Sequence, residues 1–172
     1  IRDPLWSRGL GDVYKRQENV SHMNKEYEVS LILPEHLEDV WLKCEKILKR
    51  SCQRSYGRIN TIDILYKLGT GECNLWIIFE QDTVNIVGCI ITQVHTYPSG
   101  LKMLHIEHLA GKHMDDWVYD GVDVLYEYAK DNDCDGVEGI GREGFWNWIR
   151  KKDLGWKETA RFFEFRFDGE KT

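Results

Sequence analysis

The chain has 172 residues, 42% of them hydrophobic, 12% aromatic and 30% charged. That length suits one globular domain and is tight for two. Lys+Arg 23 against Asp+Glu 29 gives a net charge of −6, which argues against a surface built mainly to hold phosphate. Apolar runs such as Leu75–Phe79 and Ile86–Ile91 fall far short of the ~18 residues of a membrane span. No nucleic-acid partner and no membrane partner is therefore expected. The Lys43–Arg58 cluster is the one basic stretch worth noting. The five cysteines (Cys44, Cys52, Cys73, Cys89, Cys134) are odd in number and contain no C-x-x-C pair. A secreted, disulfide-stapled domain and a thiolate zinc site are both unexpected.

In chain order, Ile1–Gln17 shows neither helical nor strand periodicity. Residues 1–22 are expected to be a non-native or disordered leader, with residues 23–172 forming a single domain. Glu26–Leu33 alternates as a strand does, and Pro34 ends it. In Glu35–Arg50 the residues Leu37, Val40, Trp41, Cys44, Ile47 and Leu48 fall on one helical face, with acidic residues early and basic residues late. A shorter helix is expected over Thr61–Leu68, stopped by Gly69 and Gly71.

The period then changes. Asn74–Glu80 and Asn85–Val94 are β-branched apolar runs across a polar turn, and predict adjacent antiparallel strands. Leu101–Leu109 follows the turn Pro98-Ser99-Gly100 as a third. Asp115 or Asp116 is expected to cap a long helix reaching Lys130, with Val118, Val122, Leu125 and Ala129 on its apolar face. Cys134–Ile140 predicts a glycine-weakened strand, Arg142–Lys152 a helix, and Lys157–Phe167 a closing strand with Phe163, Phe165 and Phe167 on one face. The order β-α-α-β-β-β-α-β-α-β is an α+β arrangement, expected as a mostly antiparallel mixed sheet flanked by helices. His105 and His108 differ by an odd number, so in a regular strand they face opposite ways. No metal site is expected from them and His113.

This order resembles the GNAT superfamily of N-acetyltransferases over roughly residues 26–167. The matching pieces are the strand Leu101–Leu109, the helix start Gly111–Asp115, the strand Cys134–Ile140 and the helix Arg142–Lys152. The closing DLGWKETARFFEFRF is similar to the family's loop, Gly-aromatic and final strand. Leu109-Ala110-Gly111 and Gly141-Arg142-Glu143-Gly144-Phe145 resemble more narrowly the acetyltransferase-like proteins of tailed phages, relatives of an internal virion protein of short-tailed coliphages.

The resemblance implies acetyl-CoA as cofactor and a small-molecule or protein amine as acceptor. Backbone at Leu109, Ala110 and Gly111 would hold pantetheine, and that at Lys112, His113 and Met114 the pyrophosphate. Arg142 would be an exposed polar anchor, and Glu107 the base that takes a proton from the amine. A plainer reading leaves Glu107 facing solvent beside His105. Two departures from the family pattern matter. Only Gly111 survives of the R/Q-x-x-G-x-G/A loop, with Asp115 and Asp116 close by, and Arg142–Lys152 contains no tyrosine acid.

Two functions therefore stay open. One is an N-acyltransferase with a degraded pyrophosphate loop. The other is a non-catalytic virion or assembly component that keeps the fold and meets other phage proteins. Either places the chain in the cytoplasm of an infected bacterial host or in the virion. The strands are expected to splay near Leu109.

Overall fold

The computed structural model of the protein describes residues 27–81, 83 and 85–167, so the expected leader, residues 1–22, lies outside the described residues. Two compact units divide the chain, one ending at Gly139 and one beginning at Ile140. The first unit holds a five-stranded sheet in the order β1 (Tyr27–Ile32), β2 (Asn74–Glu80), β3 (Ile86–Thr96), β4 (Lys102–Gly111) and β5 (Gly136–Gly139). β1 to β4 run antiparallel to their neighbours, and β5 runs parallel to β4. A parallel neighbour requires a crossover. The helix α3 (Met114–Asp131) supplies it, while α1 (Leu37–Gln53) and α2 (Thr61–Gly69) lie between β1 and β2 in the chain.

Apolar periodicity decides which helix covers which face. The α1 stripe Leu37, Val40, Trp41, Cys44, Leu48 and Cys52 is buried, and it packs with Leu75, Ile77, Cys89 and Ile91. Pro34 opens a 3₁₀ turn, Pro34–His36, that leads into α1. Asn60 and Asp63 form a reciprocal capping box at the start of α2. On the opposite face Trp117, Leu125 and Ala129 of α3 pack with Trp76, Ile78, Ile90 and Leu104. With helices on both sides, β2 is buried continuously from Leu75 to Phe79 instead of alternating. The buried Trp76 indole N–H donates to Thr92 Oγ1 at 2.9 Å, so this interior polar pair is satisfied.

The fifth strand is shorter than its sequence span suggests. Cys134 N–H bonds the Ala129 carbonyl as α3 ends, and Asp135 N–H bonds the Lys102 carbonyl, so pairing begins only at Gly136.

The second unit contains α4 (Glu143–Ile149) and a 3₁₀ turn, Arg150–Lys152, ended by Asp153 in the left-handed region at φ 54. The expected closing strand Lys157–Phe167 does not form, and this stretch is without regular secondary structure. Its Phe163, Phe165 and Phe167 are 85%, 83% and 92% exposed. Alternating aromatics favour a strand only where a neighbouring strand takes the backbone bonds and one face is buried. Neither condition holds for this stretch among the described residues.

Candidate active site

β4 and β5 pair from Met103↔Gly136 to Ile106↔Gly139, where β5 ends while β4 continues to Gly111. Between Glu107 and Gly111 that edge of β4 has no β5 partner. Pairing with β5 therefore stops after Ile106, ahead of Leu109, where the splay was expected.

At that point β4 is irregular. Ile91 lies opposite His108, but Thr92 lies opposite Ile106, which leaves Glu107 as the extra residue of a β-bulge. A bulge re-aims side chains by breaking the alternation. Ile106 and Leu109 pack into the α3-side core. The adjacent Glu107 and His108 both reach the opposite face: Lys67 Nζ of α2 donates to Glu107 Oε1 at 2.8 Å, and His108 Nδ1 is 2.8 Å from Ser51 Oγ of α1. The expectation that His105 and His108 face opposite ways is thereby overturned, because strand parity fails across a bulge.

Glu107 is not a solvent-facing residue. Its side chain is 13% exposed, against 28% for Lys67. Oε1 is taken by Lys67, whereas the buried Oε2 has no hydrogen-bond partner among the described residues. A buried carboxylate oxygen without a donor is costly unless a ligand or water supplies one. Burial works against the charge of Lys67, but its hydrogen bond to Glu107 and the carboxylate's charge outweigh that and raise its pKa. Burial lowers the pKa of His108, favouring the neutral ring. Cys73 stands in the same field. Burial, reinforced by Glu107, pushes its thiol up to about 11.

Beyond the bulge the chain turns into α3 within two residues. Gly111 closes the pairing opposite Gly88, and Lys112 donates its N–H to the Val87 carbonyl at 2.9 Å. A Cβ at Gly111 would sit 2.8 Å from Gly88 Cα and 2.9 Å from the Val87 carbonyl oxygen, so glycine is required here by the approach of β3. His113 adopts the left-handed conformation at φ 56 and is the N-cap, without a side-chain capping bond. The expected cap by Asp115 or Asp116 is therefore incorrect. The left-handed turn starts the helix at Met114, so both aspartates fall in its first turn, where they favour the positive end of the helix dipole.

Glu107, Leu109, Ala110, Gly111, Lys112, His113 and Met114 thus form one continuous run along β4 and into α3. Arg142 is the N-cap residue of α4 and belongs to the second unit. Lys67 and Ser51 escaped sequence reading. They lie 40 and 57 residues from their partners and carry no motif. Tyr128 is structural, accepting a hydrogen bond from Asn74 and meeting Trp76 edge-on.

No protein-family model matches the chain, and no curated protein matches it in sequence. Solved structures do match in fold. An aminoglycoside acetyltransferase from an uncultured soil metagenomic sample aligns with TM-score 0.61 at 10% identity, covering 84% of this chain and 99% of that one. A ribosomal-protein-alanine N-acetyltransferase from Brucella melitensis biovar Abortus 2308 gives 0.56 at 13% identity, over 82% and 99%. A GNAT family acetyltransferase from Staphylococcus aureus gives 0.56 at 11%, over 82% and 98%. At these identities the likeness is one of fold. The mixed α/β architecture, with its mostly antiparallel five-stranded sheet, is the GNAT acetyltransferase fold.

Proposed function

We propose that the chain is an N-acyltransferase that uses acetyl-CoA. One observation carries this reading: beside the end of the β4–β5 pairing, a bulge against β3 sets Glu107 in a nearly buried position, with one carboxylate oxygen held by Lys67 and the other without a hydrogen-bond partner among the described residues. Glu107 Oε2 would accept the proton of the acceptor amine. The amine lone pair would then form the N–C bond to the acyl carbon as the thioester C–S bond breaks and coenzyme A leaves as its thiolate, to be protonated from water. Lys67 orients the carboxylate through a charge-assisted hydrogen bond.

The residues fit the cofactor in part. The edge of β4 from Glu107 to Gly111 suits a pantetheine arm, held by Leu109, Ala110 and Gly111. At the start of α3, Lys112, His113 and Met114 would meet the pyrophosphate with a helix N-terminus behind them. Asp115 and Asp116 oppose that anion, and the N–H of Lys112 is committed to Val87. Bound acetyl-CoA would supply the activated acyl group. The acceptor is a primary amine on a small molecule or a protein.

Isothermal titration with acetyl-CoA, followed by turnover against a panel of small-molecule and peptide amines, tests the reading. Heat of binding, with Glu107→Gln losing about a hundredfold or more in kcat/KM at unchanged cofactor affinity, is the expected result. Absence of binding at high micromolar acetyl-CoA would overturn it.

A second reading draws on the acidic first turn of α3 and the committed Lys112 N–H: a non-catalytic virion or assembly component of a tailed phage, with its anion site closed. It predicts no acetyl-CoA binding, together with recovery of the chain in purified particles.

A further inference from the structure

Away from the bulge, the same face of the sheet gathers a second set of polar side chains. Val94, Ile106 and Val137 pack into the α3-side core, so their neighbours along β3, β4 and β5 point to the other side. Those neighbours are His95, His105 and Glu138. His105 and Glu138 are register partners across β4 and β5, and His95 sits one diagonal step from His105 across β3 and β4. The two imidazoles stack with centroids 5.1 Å apart and planes 15° apart. His105 Nδ1 lies 3.2 Å from Glu138 Oε1. One donor atom from each of the three residues falls within 4.8 Å of the others.

We propose that His95, His105 and Glu138 form a binding site for a divalent transition cation of the zinc type. Two imidazole nitrogens and one carboxylate are a donor set that such a borderline cation favours. Metal–ligand bonds of about 2.0–2.1 Å put tetrahedral donors about 3.3 Å apart. The three residues stand on adjacent strands, and their donors, within 4.8 Å of one another, lie near that spacing. Tyr97 supports the arrangement from outside. Its hydroxyl donates to Glu138 Oε1 at 2.6 Å, which fixes the carboxylate and leaves Oε2 for the ion. The His95 ring has no hydrogen-bond partner among the described residues, so ligation would give its nitrogen one. All three side chains are half-buried, which leaves an entry path and a fourth position for water or a ligand atom.

This departs from the expectation of no metal, which considered His105, His108 and His113. The site uses only His105 of those three, with partners supplied by two other strands. It does not depend on acyl transfer, so either proposal can fail while the other stands.

The test is titration of the chelator-treated full chain with Zn²⁺ by calorimetry and with Co²⁺ by visible absorption. The expected result is one equivalent bound, with tetrahedral Co²⁺ bands. His105→Ala and Glu138→Gln should each weaken Zn²⁺ binding by about tenfold or more. Tyr97→Phe should weaken it less, and His113→Ala should leave it unchanged. Circular dichroism separates lost binding from lost folding, and Glu138→Gln keeps the side chain's size should an alanine variant unfold. No saturable binding up to about 1 mM Zn²⁺ overturns the proposal. So does unchanged affinity in a folded His95→Ala, His105→Ala double variant.

Discussion

Lys67 and Glu107 are 40 residues apart in sequence, and their charged groups meet at 2.8 Å. Their burial is unequal, since the lysine side chain is 28% exposed and the carboxylate 13%. That inequality gives the pair a direction. If Glu107 loses its charge, Lys67 can turn its ammonium toward water. If Lys67 is lost, the carboxylate stays where it is with neither oxygen partnered. Glu107→Gln should therefore cost about 1 kcal/mol and Lys67→Met about 2 kcal/mol, both discounted from a fully buried pair. Urea unfolding of the two variants checks the order, and the reverse order would show that water solvates Glu107.

The pH dependence of stability has a histidine component of known sign. Burial lowers the pKa of folded His108 from 6.5, with Lys67 adding to the effect and Glu107 opposing it. Above pH 6.5 the ring is neutral in both states, and its contribution is fully present. As pH falls through 6.5, the unfolded chain takes up the proton that the folded chain resists, and stability drops until the folded pKa is passed. His108→Gln keeps a partner for Ser51 and removes this titration. Its unfolding free energy should fall less steeply below pH 6.5 than that of the parent. Parallel curves would mean that His108 titrates normally.

The thiols should react in order of burial. Cys44, Cys52, Cys73 and Cys89 are buried, and Cys134 is half-buried. The Cys73 thiol is pushed up to about 11, chiefly by burial, so almost none of it is thiolate near neutrality. Burial also raises Cys134, but its half-buried position leaves the sulfur within reach of reagent. Timed alkylation of the native chain, read by mass spectrometry, should label Cys134 first, with all five labelled in denaturant. Labelling of Cys73 as fast as Cys134 would show that the packing around it opens readily.

Glycine is needed at one position and dispensable at another. Alanine at Gly111 would press its Cβ on Gly88 Cα and the Val87 carbonyl, backbone atoms that cannot turn aside. Gly111→Ala should cost about 1–3 kcal/mol. Gly144, inside α4, has nothing within 4 Å of the same atom. Gly144→Ala should be neutral or stabilising by up to about 1 kcal/mol. In thermal melts Gly111→Ala should lower the midpoint, while Gly144→Ala should leave it unchanged or raise it.

The acidic first turn of α3 makes the last prediction. Asp115→Asn with Asp116→Asn removes two negative charges beside the proposed pyrophosphate position. Affinity for acetyl-CoA should rise about threefold to tenfold at low salt. Stability should fall by about 0.3–1 kcal/mol for each charge taken from the helix dipole. Calorimetry reads the first effect and urea unfolding the second. Unchanged affinity would place the pyrophosphate elsewhere.

The amphipathic stripes of α1 and α3 and the apolar runs of β2 and β3 were legible from spacing alone, because apolar periodicity is a local record of which side is buried. Elements in that order limit the fold to a few layer arrangements, and the expected one is present. The bulge at Glu107 was not legible. It follows from the register between two strands, and no residue type announces it. With it went the facing of His108, the pairing of Glu107 with Lys67 and the convergence of His95 on His105 and Glu138, all long-range placements. The Phe163, Phe165 and Phe167 alternation misled for the complementary reason. A local pattern states what a strand would bury, while a strand forms only where another backbone offers it hydrogen bonds.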